Sequence, residues 1–179
     1  MNEGMTVFFT GLSGSGKSTL SELLFEQLSE YRKDLVTLLD GDKIRQDNFK
    51  QLGYSRQDRV LNITRVADMA KDITKNKQVA ICALISPYQD IRQIVREKIE
   101  EHGIFVEVYV STPLSVCEKR DKKGLYAKAR QGSIKDFTGI SAPYEEPLNY
   151  DIKIDTSNLS PEECVKKITL YLIEKGYIN

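Results

Sequence analysis

The stretch Gly11-Leu12-Ser13-Gly14-Ser15-Gly16-Lys17-Ser18 constrains this chain more than any other. It fits G-x-x-x-x-G-K-[ST], the spacing of a loop that cradles phosphate. Ahead of it runs Met5-Thr6-Val7-Phe8-Phe9-Thr10, a short run of apolar β-formers, and behind it Thr19–Leu28 is apolar at helical spacing. Strand, glycine loop and helix in that order are the context the motif requires. Glycines let the backbone curl into a nest of N–H donors with no Cβ in the way. The positive end of the following helix adds to the attraction for anionic oxygens. Lys17 is spaced to reach the terminal phosphates of a nucleotide such as ATP, and the Ser18 hydroxyl to ligate Mg²⁺. A glycine-rich turn that binds nothing is the plain alternative, and the intact fixed positions and both flanks count against it.

The rest of the chain alternates in the same rhythm. Strand-like runs fall at Met5–Thr10, Leu35–Leu39, Val79–Ile85, Phe105–Val110 and Ile152–Ile154. Helical periodicity falls at Lys17–Tyr31, Asp58–Asn76, Asp90–His102, Leu114–Arg120 and Pro161–Lys175. Short strands alternating with longer helices predict βαβ units and a parallel sheet covered on both faces, a three-layer α/β fold. Residues 1–179 read as one domain. The second strand runs into Asp40-Gly41-Asp42, followed by Arg45, beside the likely neighbour of the P-loop strand. The carboxyl ends of strands line the ligand crevice in such sheets, so these carboxylates can serve an acceptor hydroxyl and Mg²⁺. An acidic turn is the bland reading.

Composition narrows the partners. Lys and Arg number 26 and Asp and Glu 26, so no bulk positive field argues for nucleic acid or an anionic membrane. No apolar run is long enough for a bilayer span, and the first is too short for a signal-peptide core, so a soluble, cytoplasmic protein is expected. Cys82, Cys117 and Cys164 are widely spaced with no C-x-x-C pair; Cys82 and Cys164 read as buried small hydrophobes. A single histidine, His102, excludes a His-based metal cluster.

From Lys119 to Tyr150 the layered pattern lapses into a basic stretch, then one rich in Gly, Ser, Thr and Pro. A long, weakly structured excursion after the fourth strand reads as a lid over the nucleotide. A base-reading N-K-x-D is missing: Asn76-Lys77-Gln78-Val79 lacks the Asp. A small-molecule phosphotransferase fits this chain better than a GTPase or a mechanical ATPase.

Across nearly its whole length the chain resembles the adenylyl-sulfate (APS) kinases. The resemblance rests on GLSGSGKST (Gly11–Thr19), LDGD..R (Leu39–Arg45), GYS..DR..N (Gly53–Asn62), ISPY (Ile85–Tyr88), the run from Glu107 to Arg130, and DFTGI.APYE.P (Asp136–Pro147). It implies transfer of the γ-phosphoryl of ATP, with Mg²⁺, to the 3′-hydroxyl of adenosine 5′-phosphosulfate. Gly11, Ser13, Gly14, Ser15, Gly16, Lys17, Ser18 and Thr19 would bind the ATP phosphates, with Lys17 on the transferring group and Ser18 on Mg²⁺. Asp40 would be the base or hydroxyl-orienting group, and Asp42 would organise Mg²⁺ or the acceptor. Arg45, Arg59 and Asn62 would hold the anionic, ribose end of the acceptor. Tyr54 and Phe137 would sandwich its base, and Ile85 and Ser86 would contact it. Ser86 counts among the reacting constellation as an acceptor contact rather than a covalent intermediate, since no general base stands beside it in sequence. Arg120 and Lys123 would close over the nucleotides. The resemblance also implies a homodimer.

Four residues depart from the usual family pattern: Lys43, Leu61, Thr64 and Gln89. All lie near the expected acceptor pocket. They leave open a second acceptor, a related nucleotide such as cytidine diphosphoramidate in capsule-polysaccharide modification. A nucleotide-binding regulatory module without turnover is a third possibility, against which intact Lys17, Ser18, Asp40 and Asp42 argue.

Overall fold

The structure is a computed structural model, and it describes residues 3–32, 35–48 and 53–178. Its centre is a five-stranded sheet of β1 (Met5–Thr10), β2 (Val36–Asp40), β3 (Val79–Ala83), β4 (Ile104–Val110) and β5 (Ile152–Ile154). The spatial order is β2-β3-β1-β4-β5 and every pairing is parallel. β3 therefore stands between the P-loop strand and the strand that carries Asp40. The carboxyl ends of β1, β2 and β3 open on the same edge, which is where a doubly wound sheet binds ligands.

Helices cover both faces. Strand alternation sends Met5, Val7 and Phe9 to one face, where they join Leu20, Leu24 and Leu28 of α1 (Lys17–Arg32) and Cys164, Ile168 and Leu172 of α7 (Pro161–Glu174). Phe8, Ala80 and Cys82 point the other way, against Ile63, Val66 and Ala70 of α3 (Arg56–Lys75) and Ile91, Val95 and Ile99 of α4 (Gln89–Glu100). β1, β3 and β4 are buried on both sides, hence their nearly unbroken apolar runs in the sequence. All three cysteines are buried and unpaired. No helix among the described residues is long and apolar enough to cross a membrane.

Two helices lie where the sequence suggests none. The acidic turn at Asp40-Gly41-Asp42 opens α2 (Gly41–Asn48), because Asp40 caps it: its Oδ1 accepts from the backbone N–H of Asp42 (2.9 Å) and Lys43 (3.1 Å). The stretch from Lys119 to Tyr150 is better organised than its composition suggests. After α5 (Leu114–Arg120) it forms α6 (Leu125–Arg130), and Cys117, Tyr126, Ala129 and Phe137 make a third, small apolar cluster with Leu12 of the P-loop packed on it.

Candidate active site

The P-loop backbone has the shape its glycines allow. Gly11, Gly14 and Gly16 all have positive φ, and a Cβ at Gly11 would lie 2.5 Å from the carbonyl oxygen of Val110. The loop is braced from behind. Thr112 Oγ1 (3.0 Å) and Thr156 Oγ1 (2.8 Å) both donate to the Ser15 carbonyl. Tyr126, buried in the third cluster, donates its hydroxyl to the Ser13 carbonyl at 2.8 Å. Arg120 does not reach into open space: it donates to Gly14 O (3.3 Å), Thr156 Oγ1 (2.8 Å) and Thr156 O (2.7 Å). The carbonyls of Ser13, Gly14 and Ser15 are thus tied to the scaffold.

That cleft encloses about 390 Å³ and runs from the P-loop to the ends of β2 and β3. Ser13, Gly14, Gly16, Lys17, Ser18, Thr19, Asp40, Asp42, Ile85, Arg120 and Lys123 line it, as does Thr156. Gly11 and Ser15 stand behind, both buried. Lys17 Nζ donates to the Leu12 carbonyl at 2.7 Å and is only 8% exposed. Burial brings its ammonium down to about 8, against the opposing pull of Asp42 and Asp40. Ser18 Oγ donates to Asp40 Oδ2 at 2.9 Å, joining the start of α1 to the end of β2 at the mouth of the loop. Asp42 meets Lys123 at 2.9 Å across the cleft. Partial burial pushes the Asp42 carboxyl up, but the bond and charge of Lys123, with Lys17 and Arg45, hold it below the usual range.

Of the remaining predicted residues Ile85 lines this cleft, whereas Arg45, Tyr54, Arg59, Asn62, Ser86 and Phe137 do not. Arg59 is buried; it donates to the carbonyls of Tyr54 (2.9 Å) and Asp136 (2.6 Å), tying α3 to the segment after α6. Arg45 lies over the Tyr54 ring, 4.6 Å from its centroid, and donates to the Gly53 carbonyl. The Tyr54 ring is 40% exposed, whereas Phe137 is 3% exposed and meets Tyr126 edge-on at 5.0 Å. Asn62 lies one turn after Arg59 with its Oδ1 buried and unpartnered. Ile85 and Ser86 follow β3, and Ser86 takes the left-handed region (φ +42°) with its Oγ buried and unpartnered.

Three of the four departures from the family pattern have other partners or face outward. Lys43 pairs at the surface with Glu22 (3.0 Å), Leu61 is 41% exposed, and Gln89 accepts a hydrogen bond from Arg92. Sequence reading missed Thr156, Thr112 and Tyr126 as supports of the loop. Tyr126 lay within a run already singled out, but nothing around Thr156 beyond its place after the last strand marks it.

A family model described as adenylylsulphate kinase matches residues 3–155. An adenylyl-sulfate kinase from Halothermothrix orenii is 50% identical over 177 residues, which is 99% of this chain and 94% of that protein. The solved APS kinase of Mycobacterium tuberculosis, in complex with AMPPNP and APS, superposes with a TM-score of 0.88 at 40% identity, covering 97% of this chain and 99% of that one. A hexameric APS kinase from Thiobacillus denitrificans superposes with a TM-score of 0.77 at 39% identity, covering 99% of this chain and 30% of that one. Likeness of this extent makes the chain a member of the adenylylsulphate kinase family.

Proposed function

We propose that the protein transfers the γ-phosphoryl of ATP to the 3′-hydroxyl of adenosine 5′-phosphosulfate, giving 3′-phosphoadenosine 5′-phosphosulfate and ADP. The observation that carries this reading is the meeting of a braced P-loop with Asp40 and the Ile85–Ser86 turn on one sheet edge, in a chain of this family. Phosphoryl transfer asks a protein mainly for alignment and charge neutralisation. The P-loop N–H groups and Lys17 hold the ATP phosphates and offset charge as the γ-phosphoryl moves. Asp40 receives or orients the acceptor's 3′-hydroxyl proton, and Asp42 keeps the acceptor side electrostatically ordered. Arg45, Arg59 and Asn62 bind the ribose and phosphosulfate. Tyr54 offers an exposed ring for the base, with Phe137 as the opposite wall. Arg120 acts through the loop it braces, and Lys123 closes over the phosphates as part of a lid spanning residues 119–150.

Mg²⁺ suits the donors present: Ser18 Oγ and the Asp42 carboxylate are hard oxygens lining the same cleft. Bound there with ATP, it would neutralise phosphate charge. The outward or engaged positions of Lys43, Leu61 and Gln89 support adenosine 5′-phosphosulfate over a cytidine nucleotide as the acceptor. A cytoplasmic homodimer completes the proposal, and sedimentation velocity tests the assembly.

The deciding experiment is ADP release with MgATP and a panel of adenosine 5′-phosphosulfate, AMP and cytidine diphosphate derivatives. Rapid turnover with adenosine 5′-phosphosulfate alone is expected. Turnover confined to a cytidine compound would replace the acceptor.

A further inference from the structure

Arg92, on the first turns of α4, is 1% exposed and faces β4 rather than solvent. Its guanidinium serves several chain segments at once. One nitrogen donates to the Ser86 carbonyl at 2.6 Å. Another donates to the Glu145 carbonyl (2.6 Å) and to Gln89 Oε1 (2.7 Å). Its Nε lies 3.2 Å from Glu107 Oε1, on the face of β4 that alternation turns toward α4. Glu107 is itself buried, and burial pushes its carboxyl up against the pull of Arg92 and Arg96.

The segments so joined are the Ser86 turn and the return of the 119–150 excursion. Further bonds stitch the same seam: the Glu145 N–H donates to the Pro87 carbonyl (2.8 Å), and the Gln89 N–H donates to Glu145 Oε2 (2.7 Å). Next to Glu145, the Tyr144 hydroxyl sits 2.9 Å from Thr10 Oγ1. Thr10 has one hydroxyl proton, which it gives to the Ile85 carbonyl at 2.8 Å, so Tyr144 is the donor in that pair. Thr10 is the last residue of β1, directly before the P-loop. The seam therefore links the acceptor turn, the lid return and the root of the phosphate loop.

A buried ion pair is a poor source of net stability, because desolvating both charges offsets their attraction. A guanidinium is, however, well suited to hold carbonyls in a fixed fork. Ser86 is strained and its hydroxyl is left without a partner, so the turn needs an external clamp to keep that geometry. We propose that Arg92, braced by Glu107, is a positioning residue for the acceptor: it locks the Ser86 turn and the Tyr144–Glu145 return into one unit beside the phosphate loop. This rests on the reading of the site as an APS kinase's.

Arg92→Lys keeps the charge but loses the fork, and Tyr144→Phe removes only the bond to Thr10. Steady-state kinetics and amide hydrogen exchange on both variants test the inference. Arg92→Lys should lower kcat/KM for adenosine 5′-phosphosulfate at least about tenfold, chiefly through the acceptor's KM, while the KM for ATP moves less than about twofold. Tyr144→Phe should lose in the same direction and less. In both, exchange should quicken together in 85–89 and 144–146 while α1 is unaltered. Equal losses on the ATP and acceptor sides, or exchange that quickens in only one segment or neither, would overturn it. Should Arg92→Lys not fold, Glu107→Gln is judged by the same readouts. If the wild type does not turn over adenosine 5′-phosphosulfate, the functional reading fails, and exchange still decides whether the latch exists.

Discussion

Lys17 lies deep enough for burial to bring its ammonium down to about 8, although Asp42 and Asp40 both favour the charge. In the ligand-free protein it is protonated below that pH and neutral above it. Phosphates favour the protonated form, so MgATP affinity is expected to weaken as pH rises from about 7 to about 9.5, with proton uptake on binding in the upper part of that range. Calorimetric titration in two buffers of different ionisation enthalpy checks this; an affinity flat across the range would contradict it. Lys17→Ala should lower transfer by at least about a hundredfold in the ADP-release assay. Asp40→Asn should lower kcat by about two orders of magnitude and change the KM for ATP far less, because the carboxylate serves the acceptor's proton. Equal losses would assign Asp40 to nucleotide binding. At this scale the sequence discloses residues whose neighbours in space are also neighbours in the chain. Lys17 and Ser18 follow from loop spacing and Asp40 from its place at a strand end. Arg92, Thr112 and Thr156 do not: their partners lie as far off as Glu145 and Ser15, and each residue alone reads as an ordinary helix or turn position.

The long elements announce themselves because their burial has a period. α1, α3, α4 and α7 each show apolar residues at helical spacing, and β1, β3 and β4 are largely apolar runs buried on both faces. The short helices have no such mark. α2 has the sequence GDKIRQDN, with one apolar residue, and exists because Asp40 caps it. α6 is a six-residue turn introduced by a left-handed Gly124, and its reason is the third cluster rather than a local pattern. α7 carries a full capping box, Ser160 with Glu163, and Pro161 at its first turn. Ser160→Ala should cost about 1 kcal/mol and lower Tm by roughly 2–4 °C, with the nucleotide KM unchanged. Thermal unfolding followed by circular dichroism checks it.

Across the whole molecule the sheet divides two cores, and the cleft lies at the sheet edge where both end, with Leu20 and Ala83 of one and Leu84 of the other in its lining. The third cluster joins the P-loop to the segment after β4 through Leu12, Tyr126 and Phe137. A bound nucleotide should therefore stabilise the entire chain by mass action. At a hundredfold excess of MgADP over its Kd, about 2.7 kcal/mol is expected, a rise in Tm of roughly 5–10 °C by scanning fluorimetry that Lys17→Ala abolishes. The broad architecture was readable because alternation of strand and helix leaves few alternatives; the seam between distant segments was not, because no local pattern encodes it. Thr156 shows how far that seam reaches. It comes after the last strand and one residue beyond the segment the family model matches, yet its hydroxyl holds the carbonyl of Ser15, and Arg120 is pinned on it. A Thr156→Val chain would keep every residue of the phosphate-binding signature and lose part of the wall behind it. The nucleotide would then meet a cradle free to sag, and injury at the tail of the polypeptide would register first at the phosphate.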